Sequence, residues 1–200
     1  KELSDLKGHR IGPKRKENPF QNGFFTPSGK IEFYSEPMEK DGKDPLPAHV
    51  PLIEGSETEV LIKKYPLQLI LPPAHNFLNS SLGDVKNCII GEGKPSLLIH
   101  PEDAKLRGVE EGDLVRVFND RGEIFRYAKL GNRSLRGVAV SEGAWWAKLS
   151  PGGKGVNQIS SERLADMGKG ATFHSNLVEV ERAESTLDQE INSKVESKMI

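Results

Sequence analysis

Two apolar-rich runs, Leu114–Phe118 and Glu123–Leu130, flank Asn119-Asp120-Arg121-Gly122, and this arrangement constrains the fold more than any other segment of the chain. Asn, Asp and Gly tolerate the backbone angles of a tight reversal, so the segment predicts a β-hairpin. Further short runs with strand character stand at Leu67–Leu71, Pro95–His100, Val138–Ser141 and Asn176–Glu181. After Pro95–His100, Pro101 suits a first helical position, Glu102 and Asp103 complement a helix N-terminus, and Gly108 closes the C-terminus. Glu111-Gly112-Asp113 then reads as a turn, and Ser161–Met167 as a second short helical piece. Six strands with one or two short helices predict a mainly β, compact barrel rather than an alternating βαβ sheet.

Composition divides the 200 residues into three regions. Residues 1–65, rich in Pro, Gly, Lys and Glu, read as an extended N-terminal arm. Its single alternating run, Lys30–Tyr34, places Ile31 and Phe33 on one side, as in a lone strand. Pro45, Pro47 and Pro51 keep the following stretch extended. Residues 66–182 read as the barrel, large enough at about 120 residues to fold without disulfides or metal. Residues 183–200 read as a polar tail that forms a helix, with Leu187, Ile191 and Val195 on one face, or frays. The opening KELSDLKGHRIGPKRKE, with no initiator Met and no apolar signal core, reads like a cut inside a longer polypeptide. Any export signal would precede residue 1, so the compartment is left open.

Several function classes fall away. With 28 basic and 29 acidic residues the chain carries no global charge for nucleic acid. No apolar run reaches the roughly 18 residues of a membrane span. One cysteine, Cys88, excludes an internal disulfide framework and a multi-cysteine metal or iron–sulfur site within this chain. That thiol follows Lys86-Asn87 and reads as a half-buried structural group. Thr26-Pro27-Ser28-Gly29-Lys30 is no phosphate loop, because five residues separate Gly23 from Gly29 and Ile31 follows the lysine. Gly91-Glu92-Gly93 lacks the third glycine of a dinucleotide fingerprint. His9, His49, His75, His100 and His174 show no metal-binding spacing, and no G-x-S-x-G elbow supports a serine hydrolase.

The loop Pro72–Ser81 differs in kind. Two prolines stiffen it, and His75, Asn76, Asn79, Ser80 and Ser81 offer donors and acceptors within a span of seven residues. Amide side chains match the edges of a heterocycle because each carries both a donor and an acceptor. The same groups also suit a surface loop that caps its own backbone. Trp145-Trp146 and Asn157 add further candidates for a flat or polar ligand.

Four segments in order, TPSGKIEFYSE, LQLILPPAHNFLNSS, IHPEDAKLRGVEEGDLVRVFNDRGEI and GVNQISSERLADMGKGATFHSNLVEVE, resemble the C-terminal cofactor-binding domain of molybdopterin oxidoreductases of the dimethyl-sulfoxide-reductase-like family. The resemblance runs from about Gly23 to Glu181. It implies a six-stranded double-psi β-barrel and a bis(molybdopterin guanine dinucleotide) carrying molybdenum or tungsten. It also implies that Pro73, Ala74, His75, Asn76, Asn79, Ser80, Asn157, Phe173 and His174 contact the cofactor. The metal-ligating side chain and any four-cysteine cluster would lie in other domains of the parent catalytic subunit, its first partners. An iron–sulfur electron-transfer subunit is a further partner that the resemblance admits. The chain alone is then expected not to turn over substrate. TPSGKIEFYSE and GATFHSNLVEVE look like the respiratory sulfur- and arsenic-type branches. A competing class is a double-psi barrel adaptor that recruits protein substrates, which requires an exposed apolar groove and no affinity for pterins. A small barrel enzyme acting alone lacks any nucleophile or acid–base pair.

Overall fold

The computed structural model describes residues 19–55 and 57–184. Its backbone packs as two units that divide between Val50 and Pro51. The expected tail helix with Leu187, Ile191 and Val195 lies outside the described residues, as do the opening segment and His9.

In the first unit, the run at Lys30–Tyr34 is not a strand. Local bonds take its polar groups instead: Phe24 N–H donates to the Gly29 carbonyl, Thr26 Oγ1 to the Lys30 carbonyl, and Ser28 N–H to the Glu32 carboxylate. A strand needs a ladder partner, and these turns offer the backbone a nearer one. A short helix, α1 (Glu36–Lys40), follows with Pro37 in its first turn.

The second unit holds the barrel. Its strands are β1 (Leu67–Ile70), β2 (Ser96–Ile99), β3 (Leu114–Asn119), β4 (Gly122–Leu130), β5 (Val138–Val140) and β6 (Asn176–Arg182). They close in the order β1-β5-β2-β4-β3-β6. The pairs β1/β5 and β2/β4 are parallel and the other four antiparallel. Alternation builds the interior: Leu67 and Leu69, Leu97 and Ile99, Val115 and Val117, Ile124 and Ala128, Ala139, and Val178 and Val180 form one buried cluster. Each fully buried aliphatic side chain contributes about 1.5–3 kcal/mol. Leu114, Phe125 and Tyr127 pack as a smaller cluster on the opposite parity of β3 and β4.

Three further helices are α2 (Glu59–Lys64), α3 (Lys86–Glu92) and α4 (Pro101–Lys105). Only α4 was expected. It starts at Pro101 beneath a His100 cap, and Gly108 adopts φ 62° just beyond it. The helical piece expected at Ser161–Met167 is absent. Ser161 N–H donates to Asn176 Oδ1, Arg163 N–H to Ser161 Oγ, and Ala165 N–H to the Gly170 carbonyl. Those bonds pull the backbone into an irregular loop closed by a Leu164–Ala171 bridge.

Register decides which connections share an end of the barrel. Ile70 pairs with Val140 where parallel β1 and β5 finish, and Leu69 pairs with Asn176 where β6 begins. Val140 also pairs with Leu98 of antiparallel β2, so β2 begins at that end. Strand β4, parallel to β2, begins there too, and Asn119 opposite Gly122 places the β3–β4 turn beside it. The connections 71–95, 120–121 and 141–175 therefore crowd one rim, here the upper rim. The lower rim carries 100–113 and 131–137.

Candidate functional site on the upper rim

Pro72 and Pro73 end β1, since neither can donate to a ladder. Beyond them, the β1/β5 edge continues through Ser141 N–H to the Ile70 carbonyl (3.0 Å) and Gly143 N–H to the Pro72 carbonyl (2.8 Å). Ala74 and Phe77 point inward, and Phe77 meets the Trp145 ring edge-on at 5.0 Å. Trp146 Nε1 donates to the Ser80 carbonyl at 3.0 Å. The two tryptophans thus clamp the 72–81 loop to the β5–β6 connection. From the other side, the Glu92 carboxylate at the end of α3 accepts from Asn76 N–H and Asn76 Nδ2, at 2.8 and 2.9 Å, and from His75 N–H at 3.4 Å. Cys88 of α3 is partly buried against the Ala74–Phe77–Trp145 cluster.

Held in this way, the loop turns His75, Asn76, Asn79 and Ser80 to solvent. Asn79 sits at φ 50° between Leu78 and Ser81, whose backbones bond to each other, a conformation that Asn tolerates. Pro73 is exposed, whereas Ala74 is buried and serves packing. Asn157 is exposed on a single 3-10 turn (Val156–Gln158), pinned on both sides by buried Val156 and Ile159. Just before that turn, Gly155 lies beside the Trp145 carbonyl.

Phe173 and His174 are exposed ahead of β6, with ring centroids 4.4 Å apart. His174 Nδ1 accepts from Leu71 N–H at 3.1 Å, and its carbonyl accepts from Gln68 Nε2. That acceptor role leaves the ring proton on Nε2, as a donor at the rim. All nine residues singled out in the sequence thus stand in the two long connections of the upper rim. The direct links run from 72–80 to Trp145-Trp146 and from Leu71 to His174.

Sequence reasoning missed the groups that hold these segments in place. Arg121, in the β3–β4 turn, donates to both oxygens of Glu54 (2.7 and 2.9 Å), to the Ile159 carbonyl and to Asn176 Oδ1. Buried Asn119 Nδ2 donates to the Ile159 and Leu177 carbonyls, and Asn176 Nδ2 to the Phe173 carbonyl. This network fixes both ends of the 159–176 segment. Arg126, also missed, is wholly buried, and burial lowers its pKa to about 10. Its position between Ile124 and Ala128, on the inward parity of β4, was the available signal.

A cavity of about 590 Å³ opens beside α3. Ile89, Ile90 and Leu149 supply apolar walls, and Lys86, Lys94, Lys148 and Asp84 complete the lining, with the Lys94 and Lys148 ammonium groups resting on the Tyr127 and Trp146 rings. Such a lining suits an anionic ligand with a flat or apolar part. Among the described residues, no three His, Cys, Asp or Glu side chains gather as a metal site, and no helix is long and apolar enough to cross a membrane.

Comparison with known proteins gives this geometry a context. Residues 67–177 match the family described as the molydopterin dinucleotide binding domain. The chain is 38% identical over 182 residues to a probable oxidoreductase, YoaE, of Bacillus subtilis (strain 168), covering 90% of the chain and 26% of that protein. It is 38% identical over 193 residues to the dimethyl sulfoxide reductase DmsA of Escherichia coli (strain K12), covering 89% of the chain and 24% of DmsA. The chain therefore spans about a quarter of the length of these relatives. Acetylene hydratase from Pelobacter acetylenicus shares the fold, with a TM-score of 0.66 at 23% identity over 80% of this chain and 24% of that one.

Proposed function

Because this chain belongs to the molybdopterin dinucleotide-binding domain family of dimethyl sulfoxide reductase-type oxidoreductases, we propose that its upper rim clasps a bis(molybdopterin guanine dinucleotide) within a larger catalytic polypeptide. The remaining domains of that polypeptide supply the metal ligand and the substrate funnel, and an iron–sulfur subunit supplies electrons. The metal, molybdenum or tungsten, supplies the redox chemistry when bound, and this chain supplies binding and orientation.

The residues present fit the ligand. Exposed Asn76, Asn79 and Asn157 offer amides to pterin and guanine edges, and His174 offers an Nε2 donor. Lys86, Lys94 and Lys148 offer charge to pyrophosphate. Two buried polar atoms at this rim, Arg126 Nη2 and Ser150 Oγ, have no hydrogen-bond partner among the described residues. The observation that carries the reading is the strand register, which gathers 71–95 and 141–175 at one end of a closed barrel. The clamps on those loops matter as much, because a polar ligand is held best by groups that need not reorganise to meet it.

The test uses the full parent polypeptide. His75→Ala, Asn79→Ala and Asn157→Ala combined are expected to lower the molybdenum or tungsten and the guanine nucleotide that copurify by about tenfold. Thermal unfolding of the cofactor-free protein should not change. Wild-type loading in the triple variant overturns the assignment of these residues, and a wild-type parent without guanine nucleotide overturns the function.

A further inference from the structure

Arg126 is the least explained group in the barrel. It stands on the inward parity of β4 between Ile124 and Ala128, and no part of it reaches solvent. Nε donates to Ser141 Oγ at 3.1 Å and Nη1 to the Phe125 carbonyl at 2.7 Å, while Nη2 has no hydrogen-bond partner among the described residues. No carboxylate pairs with it among the described residues. Burial moves its pKa only to about 10, so it is a cation at neutral pH.

Its height in the barrel gives this charge a direction. Tyr127 pairs with Ser96, the first residue of β2, so Arg126 lies one step outside the β2/β4 ladder. Ser141 is the first residue after β5, on the same upper rim. The guanidinium therefore lies at the upper end of the barrel, bonded to the first residue of the β5–β6 connection. That connection also packs on the outward parity of β4, opposite to Arg126: the Pro151–Gly153 turn lies against the strand, and Lys154 Nζ bonds Glu123. Ser150 Oγ, the second unpartnered buried atom, immediately precedes the turn. A buried cation without a counterion is expensive to hold, and a low-dielectric surrounding extends the reach of its field.

We propose that Arg126 is a positioning residue whose unpaired charge, fixed at the start of the 141–175 connection by Ser141, helps retain the anionic portion of the dinucleotide on the upper rim. This rests on the cofactor-clasp reading above. It assigns the retaining force to a side chain that does not touch the ligand. The Ser141 bond also sets where the connection leaves β5, so the same contact carries both charge and alignment.

The test again uses the full parent polypeptide, as Arg126→Lys and as Arg126→Met combined with Ser141→Ala, which leaves no orphaned hydroxyl. Molybdenum or tungsten and guanine nucleotide per chain are measured before and after dialysis at raised salt. Unfolding of the cofactor-free proteins is followed in parallel. The double variant is expected to unfold at or above the wild-type temperature, yet to retain about fivefold less cofactor. The lysine variant should keep more than about half of it. Wild-type retention in the double variant overturns the inference while leaving the clasp intact. Equal cofactor loss in both variants, tracking lowered unfolding temperatures, also overturns it, because packing alone then explains the residue. A wild-type parent without cofactor overturns both.

Discussion

Arg121 shows how a single side chain at a turn ties the rim together. Its guanidinium bonds Glu54, the Ile159 carbonyl and Asn176 at once, and the Glu54 carboxylate also lies within reach of Leu177 N–H. Replacing it by alanine strands a nearly buried carboxylate, so Arg121→Ala should cost about 2–4 kcal/mol in urea unfolding. Arg121→Lys should recover less than half, because an ammonium cannot span both oxygens. Glu123 gives a pH signature. A hydrogen bond from Lys154, then one from Arg116, holds its carboxyl below the ordinary value of 4.5. A lowered folded pKa means that this stabilisation is complete above 4.5 and is lost as pH falls through the folded value. The unfolding-temperature gap between wild type and Glu123→Gln should thus be constant from neutral pH down to about 5 and shrink below it. Exposed loop residues such as Asn79 were legible in the sequence as candidates because they are polar where nothing buries them. Arg126 left one signal, its alternation with Ile124 and Ala128, and Asn176 left none, because its role depends on which face the register turns inward.

At the scale of elements, the junction between the two long connections is the point of greatest constraint. Gly143 has φ 78°, and a Cβ there would lie 2.8 Å from Ala74 Cβ and 3.0 Å from Phe77 Cζ. Gly143→Ala should therefore cost about 2–4 kcal/mol. It should also change the near-ultraviolet dichroism of Trp145, which packs on Phe77. The strands were legible because alternation and turn residues agree. The Asn119–Gly122 hairpin has its two-residue turn where the sequence placed it. Lys30–Tyr34 and Ser161–Met167 were misread for one physical reason. Thr and Ser side chains within or beside them bond their backbone, at Thr26, Ser28, Ser161 and Thr172, and so outcompete strand or helix.

On the scale of the molecule, the barrel gathers its two longest connections at one end and two shorter ones at the other. The lower rim carries surface pairs such as Arg136–Glu102, both mostly exposed, which contribute little to stability. Arg136→Ala should shift stability by less than about 1 kcal/mol and leave the cofactor content of the parent unchanged, in contrast to the upper-rim variants. The barrel class was legible from six short strands and their turns. Closure was not, because no local signal announces that β1 pairs with both β5 and β6. That seam governs how the protein is made. Gln68 and Asn176 meet across 108 positions of chain, so the sheet stays a ribbon with two bare edges until its last strand leaves the ribosome. Synthesis therefore passes through a long interval in which the apolar interior is open, and the edges of β1 and β3 invite foreign strands. Until β6 pairs with both β1 and β3, a nascent chain of this design carries the open edges and apolar surface from which aggregation starts.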